Sequence, residues 1–343
     1  MIKTLVIKQN QLNQKQNLEL IAKTIKANKL VIFPTETVYG IGANGLSSKA
    51  TKAIYKAKGR PSDNPLILHI LNKRELNKYT TNQSEAAMKL ISKFWPGPLT
   101  LIFNKTKLVP KTTTGGLETV AIRMPSSKVA QQIIKVAGVP LAAPSANLSG
   151  KPTSTKFKHV YQDFNNKVNI IIDGGDSLIG LESTVVDTTV NPPVILRPGY
   201  VTKSMIEKTL GYKVEDKSLQ TNSTKVKSPG LKYKHYQPQG KLFIIEGSIN
   251  KMAKLVNTKA KQTKQKIAVI CETEYAKMFD VKVRTIGSYK NQKLMSKSLF
   301  AALRDMDEWG IEIIYVHHLG NKDLAYSMMN RLYKAAEYKI IKV

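Results

Sequence analysis

From residue 17 onward the chain alternates two hydrophobic periods. "NLELIAKTIKAN" spaces its apolar residues three and four apart, the stripe of an amphipathic helix, and "KLVIFP" follows as a short continuous apolar run that reads as a buried strand. "SSKATKAIYKAK" returns to the helical period, with Ser47 or Ser48 placed to cap its start. Further strands are predicted at "LILHI", "LTLIF", "TVAIRM", "VNIIID", "TVVDTT" and "VILRP", and helices near 84–94, 127–137 and 203–210. Strands outnumber helices, so residues 1–212 are expected to form an α/β domain on a twisted mixed sheet.

Residues 213–240 lose this periodicity and are punctuated by Ser, Thr, Pro and Gly, the composition of a linker. A connection of that length is either disordered or functional. Its "KYKHY" interleaves cations with aromatics. A smaller Rossmann-like α/β domain is expected over 241–343, with strands "KLFIIEG", "KIAVIC", "VRTIG" and "IEIIYVHH" and helices near 291–307 and 324–337. No phosphate-binding glycine fingerprint follows its first strand, and no catalytic constellation is visible there.

The chain has 343 residues, which suits two domains. No apolar run approaches the roughly 20 residues of a membrane-spanning helix, and the first residues carry no signal-like apolar region. A soluble, cytoplasmic protein without membrane contact is expected. The single cysteine, Cys271, excludes an internal disulfide and a cysteine-based zinc site, and its apolar flank suggests a buried thiol.

A formal charge of +30 suggests a polyanionic partner. Biased composition explains it equally well, because lysines are spread over the whole chain. Only seven of the 54 basic residues are arginines. Arg60, Arg123 and Arg197 each close a short polar motif, and arginine suits fixed, forked contacts with carboxylate or phosphate.

The motifs themselves are strand ends followed by hydroxyls, small residues and glycine or proline. "FPTETVYGIGAN" offers Thr35 and Thr37 beside two glycines, either a capping turn or a turn for a small polar ligand. "AKGRPSDNPLILHI" sets Lys58, Arg60 and Asn64 on a path stiffened by two prolines, a turn suited to polyphosphate. His69 shares a strand face with Ile67 and is either a satisfied core residue or a ligand partner. Thr119 and Arg123 follow in "GGLETVAIRMP", Ser145, Asn147 and Thr153 in "PLAAPSANLSGKPT", Ser183 and Thr184 in "GLESTVV", and Arg197 in "VILRPG". Several such loops at the strand ends of one sheet make a shallow site for a charged small molecule. Walker, HExxH and GxSxG patterns are absent, and no metal-ligand spacing is seen.

Taken in order, "FPTETVYGIG", "KAKGRPSDNPLILHI", "FWPGPLTLIF", "VAIRMP", "APSANLSG", "IDGG", "GLESTVVD" and "VILRPG" resemble the YrdC family of threonylcarbamoyl-AMP synthases, and "SPGLKYKHYQP" with a further domain resembles its long, two-domain form. The resemblance implies an enzyme joining L-threonine, bicarbonate and ATP into L-threonylcarbamoyladenylate, with Mg2+ accompanying ATP. Its product would feed the threonylcarbamoyl modification of tRNA beside the anticodon through a downstream transferase complex, and weak tRNA binding is a further expectation. It also implies that Thr37, His69, Arg123, Ala143 and Ser183 hold threonine. Lys58, Arg60, Asn64, Thr119, Ser145, Asn147, Thr153, Arg197 and Tyr233 would hold ATP, Lys58 and Arg60 being the catalytic cations. An RNA-binding module without catalysis is the alternative. A hydrogenase-maturation carbamoyltransferase would carry cysteine-rich zinc modules, against which the one cysteine speaks.

Overall fold

The computed structural model describes residues 2–219 and 235–343. It divides into two compact units. The first takes the chain up to Ser149, Ser154–Leu178 and the stretch from Glu182, and the second takes Gly150–Thr153, Ile179–Leu181 and the chain beyond the undescribed segment.

The first unit is built on eleven strands: β1 (Leu5–Lys8), β2 (Val31–Pro34), β3 (Tyr39–Asn44), β4 (Ile67–His69), β5 (Leu99–Asn104), β6 (Thr119–Arg123), β7 (Leu141–Ala142), β8 (Ile170–Asp173), β9 (Thr184–Asp187), β10 (Val194–Arg197) and β11 (Glu215–Asp216). They lie in the order β1-β8-β2-β3-β7-β4-β6-β5-β9-β10-β11. Parallel pairs such as β4 with β6 and β5 with β9 alternate with antiparallel ones such as β5 with β6 and β9 with β10. The sheet is therefore mixed.

Among the described residues seven helices accompany it: α1 (Lys15–Lys26), α2 (Ser48–Lys58), the single turn α3 (Leu76–Tyr79), α4 (Glu85–Phe94), α5 (Lys128–Ala137), α6 (Phe157–Phe164) and α7 (Lys203–Leu210). Helices α2, α4 and α5 start at Ser47, Ser84 and Ser127, whose hydroxyls accept from the third helical amide. Ile21 and Ile25 of α1 and Ile133 of α5 cover Val31 and Phe33 on one face of β2, while Ile54 of α2 and Phe164 of α6 cover Ile32 and Ile41 on the other. Each such side chain contributes about 1.5–3 kcal/mol on full burial.

The other half of the sheet is covered unequally, and this positions the site. Leu90 and Ile91 of α4 and Ile206 of α7 pack on Leu68, Leu101, Ile122, Val186 and Ile195. Among the described residues of this unit, the opposite face holds only a small cluster of Ile67, Ile102, Ala121 and Val185, with Leu196 against it. Among the described residues no helix contributes to that cluster.

The second unit is a parallel sheet of β12 (Lys241–Glu246), β13 (Ile267–Cys271), β14 (Lys282–Thr285), β15 (Ile313–His317) and β16 (Ile340–Lys342), in the order β14-β13-β15-β12-β16. Helices α9 (Gln292–Glu308) and α10 (Asp323–Ala335) pack Phe300, Leu303, Met328 and Leu332 on Ile244, Ile270 and Val316. Helix α8 (Ile249–Gln262) covers the other face through Met252 and Val256 against Ile245, Val269 and Tyr315. Among the described residues no helix is long and apolar enough to cross a membrane.

Structure also intrudes on the stretch read as linker. Glu215 and Asp216 pair with Val194 and Ile195 as an edge strand. Tyr236 is buried, its ring 5.2 Å from that of Phe300, so the last residue of "KYKHY" belongs to the core of the second unit. Tyr233 lies outside the described residues.

Candidate active site

Strand register places the polar side chains in one row. His69 stands opposite Arg123, Arg123 opposite Thr100, Thr100 opposite Val185, and Val185 opposite Arg197. Directly paired residues share a sheet face. The row therefore lies on the face opposite α4 and α7, at the carboxyl ends of β4, β6 and β10. A pocket opens over it, lined by Thr37 and Val38 from the β2–β3 turn, Arg60 after α2, Ile67 and His69 of β4, Arg123 of β6, Ala143, Pro144 and Ser145 after β7, and Glu182, Ser183 and Arg197 around β9 and β10.

Arg123 is fixed on every side. Its Nη2 donates to Glu36 Oε1 at 2.6 Å, its Nη1 to Thr37 Oγ1 at 2.8 Å and its Nε to the Gly97 carbonyl at 3.1 Å. Burial alone would raise the Glu36 carboxyl, but the Arg123 charge and hydrogen bond, together with backbone donors, hold it below its ordinary value. Glu36 is thus a buried carboxylate whose second oxygen accepts from Ser127 N at 3.3 Å. Thr37 is in turn oriented by Thr35 Oγ1 at 2.8 Å.

His69 sits at the end of β4 with Nδ1 3.2 Å from the Ile67 carbonyl. Burial, and then the Arg123 charge, push its pKa down to about 3. It offers the pocket a neutral imidazole. At the far end of the row, Arg197 donates from Nε to the Ser183 carbonyl at 3.0 Å and from Nη2 to Ser183 Oγ at 3.1 Å, and that hydroxyl lies 2.7 Å from Thr100 Oγ1.

Lys58 and Arg60 come from the end of α2, where Gly59 terminates the helix in the left-handed conformation at φ 60°. Arg60 reaches the pocket and donates from Nη2 to the carbonyls of Asn64, at 3.3 Å, and Pro65, at 3.1 Å. The Lys58 ammonium is buried and donates to the Asn147 carbonyl at 2.6 Å and to the Ser145 carbonyl, holding the loop after β7.

Of the residues singled out by sequence, Thr37, Arg60, His69, Arg123, Ala143, Ser145, Ser183 and Arg197 line the pocket. Lys58, Asn64 and Asn147 stand behind it, and Asn147 Oδ1 accepts from Ser145 Oγ at 2.6 Å. Thr119 begins β6, on the same sheet face as Arg123 and about 13 Å along the strand at roughly 3.3 Å per residue. Thr153 groups with the second unit. Glu36 and Glu182 were not foreseen. For Glu36 the available signal was an acidic residue between Thr35 and Thr37 just after a buried strand, in a chain otherwise rich in lysine.

The fold and the pocket define a YrdC-type α/β domain whose sheet face opposite α4 and α7 carries a pocket lined by three arginines. Residues 23–199 match the family described as Telomere recombination, and residues 201–337 match the family described as Threonylcarbamoyl-AMP synthase, C-terminal domain. The chain belongs to the threonylcarbamoyl-AMP synthase family in its two-domain form. It is 42% identical to the threonylcarbamoyl-AMP synthase of Pyrococcus abyssi over 99% of this chain and all of the relative, and 42% identical to that of Bacillus subtilis over 94% and 93%. The crystal structure of P. abyssi Sua5 complexed with L-threonine superposes with a TM-score of 0.92 at 41% identity, covering 99% of both chains. Escherichia coli YciO gives 0.51 at 25% identity, over 58% of this chain and 96% of that one.

Proposed function

We propose that this protein condenses L-threonine, bicarbonate and ATP into L-threonylcarbamoyladenylate and pyrophosphate, in the cytoplasm, to supply a transferase that modifies tRNA beside the anticodon. The observation that carries the reading is the row of Arg123, His69, Ser183 and Arg197 on the sheet face opposite α4 and α7, each less than 6% exposed. Nearly every reactant is anionic. Threonine's amine condenses with bicarbonate to a carbamate with loss of water, and a carbamate oxygen then attacks the α-phosphate while pyrophosphate leaves. Fixed cations and oriented hydroxyls lower the repulsion between these groups and hold them in line, so no protein nucleophile is required.

In this reading Thr37, His69, Arg123, the Ala143 backbone and Ser183 hold threonine. Neutral His69 hydrogen-bonds without adding charge beside the amine. Arg60 and Arg197 face the nucleotide, with Ser145 and Thr119 along its length, and Lys58, Asn64 and Asn147 fix the loops that shape its binding. Mg2+ enters as the counter-ion of the substrate ATP, consistent with a pocket half of whose lining is arginines and hydroxyls, with Glu182 its one carboxylate. Incubation with ATP, Mg2+, bicarbonate and each amino acid separately, followed by mass analysis, is expected to give the adenylate with threonine alone. Absence of threonine-dependent pyrophosphate release overturns the proposal.

A further inference from the structure

The positive charge of the second unit is concentrated. Between 249 and 266 stand six lysines, Lys251, Lys254, Lys259, Lys261, Lys264 and Lys266, and no acidic residue. The remaining 13 basic residues of 241–343 are set against ten acidic ones. A uniform compositional bias would not segregate them in this way.

All six side chains are exposed on α8 and the turn that follows it. On the helix, Lys251, Lys254 and Lys261 occupy the arc away from buried Met252, Ala253 and Val256, while Lys259, one turn after Val256, is exposed near the C-terminal end. Asn257 ties the flank of the helix to the turn at 278–280, donating to the Met278 carbonyl at 3.0 Å and accepting from Asp280 N at 2.9 Å. At the far end the Glu312 carboxylate accepts from Lys266 N at 2.9 Å. Among the described residues none of the six ammonium groups forms an ion pair with a carboxylate.

We infer that this strip docks the phosphate backbone of an RNA. From Lys251 to Lys261 the helix presents charge over about 15 Å at 1.5 Å per residue, enough to meet successive phosphates. Lysines act as point charges on phosphate and need no fixed fork. An acidic protein fits less well, because a protein interface needs a desolvated apolar centre, and no large apolar side chain is exposed between 249 and 266. The choice of RNA rests on the reaction proposed above.

The test uses the full chain and an unmodified tRNA transcript. Lys251→Gln, Lys254→Gln, Lys259→Gln and Lys261→Gln together keep helix propensity and remove four charges. Affinity is expected to fall at least tenfold, and the slope of log affinity against log salt to lessen by about 3. Lys26→Gln, Lys29→Gln, Lys93→Gln and Lys135→Gln in the first unit are expected to change neither much. An equal loss in this control, or no loss in the α8 variant, overturns the proposal, as does poly-glutamate displacing the transcript as effectively as competitor RNA. Threonine-dependent pyrophosphate release is expected to be unchanged in both variants. Its absence from the unaltered protein would overturn the proposed reaction while leaving the binding comparison intact.

Discussion

Arg123 and Glu36 form a buried ion pair, 2.6 Å between Nη2 and Oε1, with side chains only 4% and 5% exposed. Removing one partner of such a pair leaves an uncompensated charge and costs about 3–5 kcal/mol. Glu36→Gln is therefore expected to lower the denaturant midpoint and to raise the threonine KM at least tenfold, because Arg123 loses its fixed direction. Chemical denaturation and initial-rate pyrophosphate assays measure the two effects. An unchanged KM would show that the orientation of Arg123 does not matter to threonine.

The same cluster predicts acid sensitivity. His69 falls from 6.5 to about 3 on folding, so the unfolded chain binds more protons between those values. Its stabilising contribution is whole above pH 6.5 and declines on acidification by about 1.4 kcal/mol per pH unit until the folded pKa is reached. Glu36, also depressed, adds a loss that begins near its ordinary value of 4.5. Urea titrations of wild type and His69→Gln at pH 7, 5 and 4 are expected to show a steeper decline for wild type. Parallel curves would refute the assignment.

Lys58 acts on the pocket through the loop it holds. Lys58→Met keeps a long side chain but abolishes the donors to the Ser145 and Asn147 carbonyls. Turnover is expected to fall more than tenfold with the fold retained, as judged by circular dichroism. Arg60→Ala is expected to raise the ATP KM as well, because Arg60 faces the pocket directly.

Cys271 ends β13 fully buried, and burial together with neighbouring Glu272 pushes its thiol up to about 12. The thiolate is the reactive form. Iodoacetamide at neutral pH is expected to leave the native protein unlabelled and to label it rapidly in denaturant. Fast native labelling would contradict this burial.

Regular periods were legible in the sequence, and so were most of the pocket's polar residues. β2, α2, β4, β6 and β9 follow from local pattern. β3 does not, because "YGIGAN" reads as a turn. Its Gly42 is required by packing, since a Cβ there would come within 2.5 Å of the Phe33 ring across the hairpin. Helix α8 was hidden by the lysines that break its apolar stripe. Glu36 is not legible from local pattern because its partner lies 87 residues away in sequence, and it takes the successive pairings of β3 with β7, β7 with β4 and β4 with β6 to bring Arg123 alongside the β2–β3 turn.

The row from His69 to Arg197 depends on pairing register alone, since its members come from separate strands aligned rung by rung. Deleting one residue inside β6 or β9 would send the following side chains through the sheet to its helix-covered side. Changes of chain length compatible with this chemistry are accordingly confined to connections such as 188–193, while the strands tolerate exchange of side chains but not of count.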